Sequence, residues 1–168
     1  LLALGHRRIA YRGNLSAGRT HAERLSGFQL ELSAATCQPA GEVITCSGGQ
    51  VTDGIEGARK LLTLPVRPTA VYCFNDLMAI GALSELQRKG FSIPTDFSLA
   101  GFDNIPFSAL TNPPLTTFDQ PKRQIGAQAA QVMLDLLTAP AAQPTAPCVL
   151  CGHLQVRAST AAPVIMGE

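Results

Sequence analysis

The sequence is poor in several features that mark other classes of protein. It has no tryptophan, aromatic residues make up 5% of it and charged residues 15%. Thirteen lysines and arginines face 12 aspartates and glutamates, so no global basic field would draw the chain to nucleic acid. No apolar run approaches the roughly 18 residues of a membrane-spanning helix, and we expect none.

The patterns that mark enzymes and metal sites are missing as well. The three histidines, His6, His21 and His153, do not have the spacing of zinc ligands. The sequence has no glycine-rich phosphate loop with a lysine, no Gly-x-Ser-x-Gly elbow and no paired catalytic carboxylates. We therefore expect a protein that is not an enzyme and that needs neither a cofactor nor a metal ion.

The cysteines form an odd set without the spacing of a disulfide framework: Cys37, Cys46, Cys73, Cys148 and Cys151. Such usage is typical of reduced thiols and favours a cytoplasmic protein. The pair Cys148-x-x-Cys151 admits a redox site or half of a metal site. It stands without a second pair, however, so the favoured interpretation is two cysteines in a strand.

The first residues do not resemble an export signal. The apolar residues Leu1–Leu4 precede Arg7 and Arg8, whereas a signal peptide carries its charge first. The sequence begins without methionine, and its first four residues resemble the end of a helix. We therefore expect the chain to be a piece of a longer protein.

Apolar runs and helical periodicities alternate along the chain. Hydrophobic residues fill 46% of 168 positions, enough for one domain with a core. Short β-prone runs predict strands at 8–12, 42–46, 70–74, 97–101, 115–118 and 148–156. Apolar stripes predict helices at 19–33, 52–62, 76–89 and 121–137. This alternation predicts an α/β fold with a parallel sheet.

Polar residues directly follow two of the predicted strands. Asn75 comes after the strand at 70–74, where it also suits the cap of the next helix, and Asp103 follows the strand at 97–101. Ligands of open parallel sheets bind at the carboxyl ends of the strands. The sequence therefore predicts a ligand site at this edge.

Several segments carry recognisable motifs, among them Asn75-Asp76-Leu77-Met78-Ala79 and Ile93-Pro94-Thr95-Asp96. They lie at residues 4–10, 24–28, 70–82, 93–104, 114–121 and 156–160. Any one of them would be weak evidence. Together and in this order, over nearly the whole chain, they resemble the lactose/galactose repressor (LacI/GalR) family of bacterial transcription regulators.

The resemblance implies a type I periplasmic-binding-protein-like fold, in which two α/β lobes joined by crossing strands hold a ligand between them. Residues 1–120 would form the C-terminal lobe, with 1–6 as the incoming crossover. Residues 121–160 would supply the C-terminal part of the N-terminal lobe and the return crossover, and 161–168 a loose tail. The DNA-binding headpiece would lie outside the chain, since no segment here matches a helix-turn-helix.

The implied function is the ligand-sensing and dimerisation part of a cytoplasmic transcription regulator. It would bind a small polar effector, namely a sugar, a polyol or a nucleoside-like molecule, and would act as a homodimer. Operator DNA would be contacted only through the headpiece, and no membrane would be involved. The alternative is a sugar-binding protein of a transport system, which has the same fold but is exported.

The resemblance also indicates which side chains bind the effector. Asp103 would accept hydrogen bonds from the ligand, and Arg24 would offer it a planar fork of donors. The other candidates are polar residues near the predicted strand ends: Asn75, Arg19, Thr20 and Gln120.

Each candidate also has an ordinary structural interpretation. Asp103 can cap a turn, Asn75 can cap a helix, and Arg24 can be a surface cation. Phe74 and Phe102 are expected in the core rather than as stacking platforms for a ligand.

Two positions depart from the family's pattern. Gly49 stands where relatives often offer a bulky residue that stacks on the ligand, and Lys122 stands where some offer an aromatic one. Both departures leave the identity of the ligand open. For the dimer, the resemblance indicates the helix at 76–88, because Leu77, Met78 and Ile80 are too many for one buried stripe.

Overall fold

Strands and helices alternate in the order that the sequence predicts. The structure, a computed structural model, describes residues 1–35, 40–138 and 148–164. Its helices are α1 (Arg19–Ala34), α2 (Val51–Leu62), α3 (Asp76–Arg88) and α4 (Lys122–Thr138). Its strands are β1 (Arg8–Asn14), β2 (Ala40–Cys46), β3 (Ala70–Cys73), β4 (Ser98–Phe102), β5 (Thr116–Asp119) and β6 (His153–Gln155).

The six strands form one sheet in the order β2-β1-β3-β4-β5-β6. β1 to β5 are all parallel to one another, which confirms the predicted α/β fold. β6 runs antiparallel to β5 and is much shorter than the predicted strand at 148–156. Because β5 has only four residues, it offers no partner to the preceding segment, and Cys148 and Cys151 lie exposed outside the sheet.

Two short 3-10 helices follow strands and were not predicted. Leu15–Ala17 comes after β1, where the Asn14 side chain accepts a hydrogen bond of 3.0 Å from the N–H of Ser16. Pro106–Ala109 comes after β4 and begins with proline. Local capping favours the first of these short helices and an initial proline favours the second. Neither depends on an apolar stripe, so apolar periodicity does not reveal them.

Different elements cover the two faces of the sheet. On one face, α2 and α3 pack over a core that includes Ala10, Val71 and Leu99. On the other, Phe28 of α1 stacks on Tyr11 of β1 with 5.5 Å between ring centroids. β2 and β3 lie on opposite sides of β1, so right-handed crossovers put α1 and α2 on opposite faces.

The helices α2 and α3 approach each other closely because each presents a glycine to the backbone of the other. A methyl group at Gly81 would lie 2.0 Å from the carbonyl oxygen of Val51, and one at Gly54 would lie 2.0 Å from that of Met78. Both distances are far inside van der Waals contact. A larger residue therefore fits at neither position unless the helices move apart.

His6 joins distant parts of the chain at the amino ends of the strands. The ring is buried, with Nδ1 2.8 Å from Thr69 Oγ1 and Nε2 3.0 Å from Ser98 Oγ. Nε2 also lies 2.8 Å from the carbonyl oxygen of Ala161. Burial lowers the pKa of His6 below its usual value of 6.5, so the folded protein favours the neutral ring.

Most of α4 faces solvent. Of its side chains only that of Val132 is half-buried, and Met133, Leu134 and Leu137 are exposed. The predicted helix at 121–137 is therefore present, but within the described residues its apolar stripe is largely uncovered. None of the described helices has the length and apolarity needed to cross a lipid bilayer.

Gly81→Ala should destabilise the protein by about 1–3 kcal/mol, because the added methyl group overpacks the contact between α2 and α3. Gly126→Ala is the matched control, since nothing lies within 4 Å of a methyl group added at that helical position. The control should gain about 0.5–1 kcal/mol from helix propensity alone. Urea unfolding measures both, and equal effects would contradict the close contact.

The neutral state of His6 makes the stability of the protein depend on pH. Its contribution should be complete above the usual pKa of 6.5 and should be lost as the pH falls below that value. His6→Gln cannot be protonated, so its free energy of unfolding should fall less than that of the wild type between about pH 7 and about pH 5. Arg123→Gln, at an exposed position of α4, is the control and should follow the wild type. Urea titrations at several pH values measure the slopes, and identical slopes for wild type and His6→Gln would contradict the prediction.

Candidate functional site

Three strand ends meet where the strand order reverses. β1 and β3 are neighbours, but the chain leaves β1 toward β2 and leaves β3 toward β4, on opposite sides. Such a switch point opens a crevice at the carboxyl ends of the strands, where open α/β sheets bind ligands. Asn14 ends β1, Asn75 follows β3, and Asp103 follows β4. Asn75 and Asp103 therefore lie at the edge that the sequence predicts for a ligand.

Arg24 reaches this edge from α1. Its guanidinium lies over the rings of Phe74 and Phe102, 4.3 Å and 3.8 Å from their centroids, and donates to the carbonyl oxygen of Phe74. The side chain is only 14% exposed, so it is not an ordinary surface cation. The two rings were expected in the core. Phe74 is buried and Phe102 half-buried, and together they also fix the direction of Arg24.

Asp103 lies between two of the other predicted residues. Its Oδ1 is 3.8 Å from Nη2 of Arg24 and accepts a hydrogen bond of 2.5 Å from Nε2 of Gln120. Burial raises the pKa of Asp103, and the charge of Arg24 opposes that rise. The structure thus brings together Arg24, Asp103 and Gln120, which we call the polar trio.

The loop that carries Asp103 has an unusual backbone. Asp103 and Asn104 have positive φ angles of 110° and 48°, which residues other than glycine seldom adopt. The N–H of Asp103 donates to the carbonyl oxygen of Phe118 at 2.9 Å, and Nζ of Lys122 donates to the carbonyl oxygen of Asp103 at 2.6 Å. Lys122 therefore holds the loop by a hydrogen bond to the backbone of Asp103.

A buried carboxylate supports the same loop. Asp76 is fully buried and accepts hydrogen bonds of 2.5 Å from Thr117 Oγ1 and 2.9 Å from the N–H of Ile105. Burial raises its pKa, and both hydrogen bonds oppose that rise. Gly101 makes room for it, because a methyl group there would lie 2.2 Å from Asp76 Oδ1. Asp76 was not among the predicted site residues, although its place beside the helix cap was an available signal.

Arg157, which was not among the predicted site residues either, holds the far side of the loop. Its Nη2 donates to Asn104 Oδ1 at 2.7 Å, and its Nη1 donates to the carbonyl oxygen of Leu115 at 2.7 Å and to Ser108 Oγ at 3.1 Å. Arg157 lies in the motif at 156–160, which was the signal that could have revealed it.

Asn75 acts as a helix cap in the structure. Its Oδ1 accepts from the N–H of Met78 at 2.9 Å, and its Nδ2 donates to the carbonyl oxygen of Gly49 at 2.9 Å. Both ends of the amide therefore have partners within the protein. Asn75 lies half-buried at the edge of the polar trio, but none of its described hydrogen bonds reaches the trio.

Arg19 and Thr20 lie at the start of α1 and are exposed. The side chain of Arg19 is 91% exposed, and its Nε pairs with Glu23 at 2.7 Å. This pairing directs Arg19 along the surface of the helix. The structure therefore does not bring these two residues together with the polar trio.

The polar trio suits a hydroxyl-rich ligand. A carboxylate accepts hydrogen bonds, a guanidinium donates them, and an amide does both. Among residues 1–35, 40–138 and 148–164, no group of three or more histidines, cysteines or acidic residues is arranged to hold a metal ion.

Known protein families and sequences agree with this fold. The model of the periplasmic binding protein-like domain family matches residues 1–160. The HTH-type transcriptional repressor PurR of Vibrio atlanticus is 37% identical over 135 residues, which cover 80% of this chain and 40% of the repressor. The chain thus spans about 40% of the length of the curated relatives it matches, which are repressors rather than enzymes.

Solved structures of LacI-type proteins share the fold. The lac repressor dimer bound to operator and the anti-inducer ONPF gives a TM-score of 0.84 at 29% identity, over 96% of this chain and 55% of that one. A LacI family transcriptional regulator from Enterococcus faecium with bound ribose gives 0.84 at 30% identity, over 96% of this chain and 59% of that one. The chain therefore belongs to the periplasmic binding protein-like domain family and, within it, to the effector-binding domains of the LacI family.

Proposed function

We propose that the chain is the ligand-sensing and dimerisation portion of a LacI-type transcription regulator, and that the polar trio binds its effector. The meeting of Arg24, Asp103 and Gln120 at the switch point of the sheet carries the proposal. These side chains come from three separate parts of the chain, namely α1 and the segments that follow β4 and β5, and they lie away from the core beneath α2 and α3. Ligand binding is a better explanation of this convergence than packing is.

A sugar, a polyol or a nucleoside-like molecule fits this chemistry. Neighbouring hydroxyls can donate to Asp103 while they accept from Arg24 and Gln120. The ribose bound to the Enterococcus faecium regulator supports a sugar. Asn75, Arg19 and Thr20 lie at or near the same edge and are candidates for further contacts when the ligand is bound.

In the complete regulator the effector would lie between two lobes. We assign residues 1–120 to the C-terminal lobe, with 1–6 as the incoming crossover, and 121–160 to part of the N-terminal lobe and the return crossover. The exposed apolar side chains of α4 support this assignment, because such a surface favours a covering element. An effector would favour one arrangement of the lobes and so alter operator binding by a headpiece in the cytoplasm.

A sugar-binding protein of a transport system would present the same site. The repressor relatives favour the regulator. A helix-turn-helix encoded upstream of Leu1 would exclude the transport function, and an export signal there would favour it.

Substitution of the polar trio should weaken ligand binding. A thermal-shift panel of sugars, polyols and nucleosides that includes ribose first identifies a ligand. Asp103→Asn and Arg24→Ala should then each weaken its binding by roughly 10–150-fold, since a charged hydrogen bond contributes about 1.5–3 kcal/mol. Isothermal titration calorimetry measures the affinity. Asp135→Asn, at an exposed position of α4, is the control and should bind like the wild type.

Melting curves of the same variants separate binding from an ordinary structural role. If Asp103 only caps a turn, Asp103→Asn lowers the melting temperature and leaves the affinity unchanged. Arg24→Ala also loses its contacts with two aromatic rings, so some loss of stability is expected with either role. Wild-type affinity in both variants would refute the assignment of the site.

The expected dimer helix is only partly available for contact. Met78 is fully buried in the core, because it faces α2, whereas Leu77 and Ile80 are half-buried. The loop after β4 is joined to the same helix by a hydrogen bond of 2.6 Å from Gln87 Nε2 to the carbonyl oxygen of Asn112. This loop extends the candidate dimer surface beyond α3.

Two large apolar side chains of this loop should contribute to a dimer. Phe107 and Leu110 are 66% and 77% exposed. Replacing both by glutamate should weaken self-association, because an interface would bury the new charges without partners. Leu30→Glu, at an exposed position of α1, is the control and should associate like the wild type. Sedimentation velocity over a range of concentrations measures the effect, and a wild type that stays monomeric throughout would contradict the dimer.

A further inference from the structure

A second groove lies at the amino ends of the strands, at the opposite edge of the sheet from the polar trio. Its volume is about 710 Å³. Residues at the starts of strands line it: Arg7 and Arg8 lie just before and at the start of β1, Thr69 precedes β3, and Phe97 precedes β4. Because these strands are parallel, the groove and the polar trio lie a full strand length apart.

Three arginines line this groove: Arg7, Arg8 and Arg67. In the described part of the chain, none of them has a carboxylate within ion-pair distance. Arg7 Nη1 donates to the carbonyl oxygens of Leu2 and His6 at 3.3 Å and 3.0 Å, and Arg8 Nε donates to that of Arg67 at 3.1 Å. These bonds orient two guanidinium groups while most of their donors make no described bond.

The groove also has an apolar side. The guanidinium of Arg67 lies 5.3 Å from the centroid of the half-buried Phe91 ring. Pro65 and the exposed Val66 line the same groove. Oriented cations beside apolar surface suit a ligand that carries both negative charge and an apolar group.

The fold does not account for the three arginines. α2 and α3 both end near this edge, and cations there could offset the helix dipoles. However, the described hydrogen bonds of the arginines go to Leu2, His6 and Arg67, none of which belongs to α2 or α3. Asp96, the one acidic residue among the described residues that line the groove, accepts instead from the N–H of Ser92 at 2.7 Å. The arginines are therefore available to a partner.

We propose that this arginine groove binds an acidic, extended segment of a partner protein. Its carboxylates would pair with Arg7, Arg8 and Arg67, and one apolar side chain would pack beside Phe91. Charge complementarity favours an acidic partner. An open groove along strand ends has room for an extended chain, whereas a small anion binds better in a closed pocket that excludes water. This site lies beyond the proposed effector function and would take its partner without displacing the effector.

A labelled peptide of about eight residues that alternates glutamate and leucine tests the proposal, since alternate side chains of an extended chain face opposite ways. Fluorescence anisotropy should show saturable binding that weakens as salt rises. Arg67→Ala and Arg7→Ala should each weaken binding about tenfold, the loss expected for one charge-assisted hydrogen bond. Arg123→Ala, an exposed arginine of α4, is the control and should bind like the wild type.

Further arms of the experiment distinguish other occupants. A peptide that alternates lysine and leucine should not bind, and equal binding of the two peptides would overturn the proposal. Tighter binding of a single-stranded oligonucleotide, or full displacement of the peptide by millimolar inorganic phosphate, would overturn it too. Both groove variants should keep the wild-type affinity for the ligand of the polar trio, so a failure of this proposal leaves the effector site untouched.

Discussion

The hydrogen bonds of the buried Asp76 carboxylate are the interactions on which the sheet edge that carries the polar trio depends. They join the first turn of α3 to β5 through Thr117 and to the loop after β4 through Ile105. Loss of either donor would leave a buried charge short of hydrogen bonds, at a cost of several kcal/mol. This cost keeps Thr117 and Ile105 close to the carboxylate. The position of Asp103, two residues before Ile105, follows from this arrangement.

Two members of the polar trio are held in place by contacts within the protein. Two aromatic rings hold Arg24, and backbone hydrogen bonds with Phe118 and Lys122 hold Asp103. A ligand that meets prearranged groups loses less binding energy to the ordering of side chains. For the proposed effector, little of the binding energy would then go into ordering these side chains.

The sheet, and the edge of it that carries the polar trio, could be predicted from the sequence because buried strands and capped helices leave local patterns. Asp103 could be placed because it directly follows such a strand. The apolar pattern of α1 is weak, because His21 is its only buried residue and Leu25, Phe28 and Leu32 are only half-buried. Both Arg19 and Arg24 were therefore candidates, although Arg19 faces solvent and Arg24 contacts two aromatic rings.

Contacts between distant parts of the chain could not be predicted from the sequence either. The bonds from Asp76 and Arg157 to the loop after β4 join residues 29 and 53 positions apart, and no periodicity in the sequence reports them. The short last strand is a related case, because its length is set by its partner β5 and not by its own β-propensity.

The hydrogen bonds of residues 159–161 have a consequence for how the chain folds as it is made. Ser159 Oγ donates to the carbonyl oxygen of Leu99 and accepts from the N–H of Thr116, at 2.6 Å and 2.8 Å, and Ala161 is bonded to His6 across 155 positions. A nascent chain cannot satisfy these groups until residues 159–161 have left the ribosome. Contacts this far apart slow folding, and until they form, β4 and β5 leave backbone groups open to pairing with other nascent chains. The synthesis of residues 159–161 therefore ends the period in which β4 and β5 lack these partners and are most exposed to aggregation.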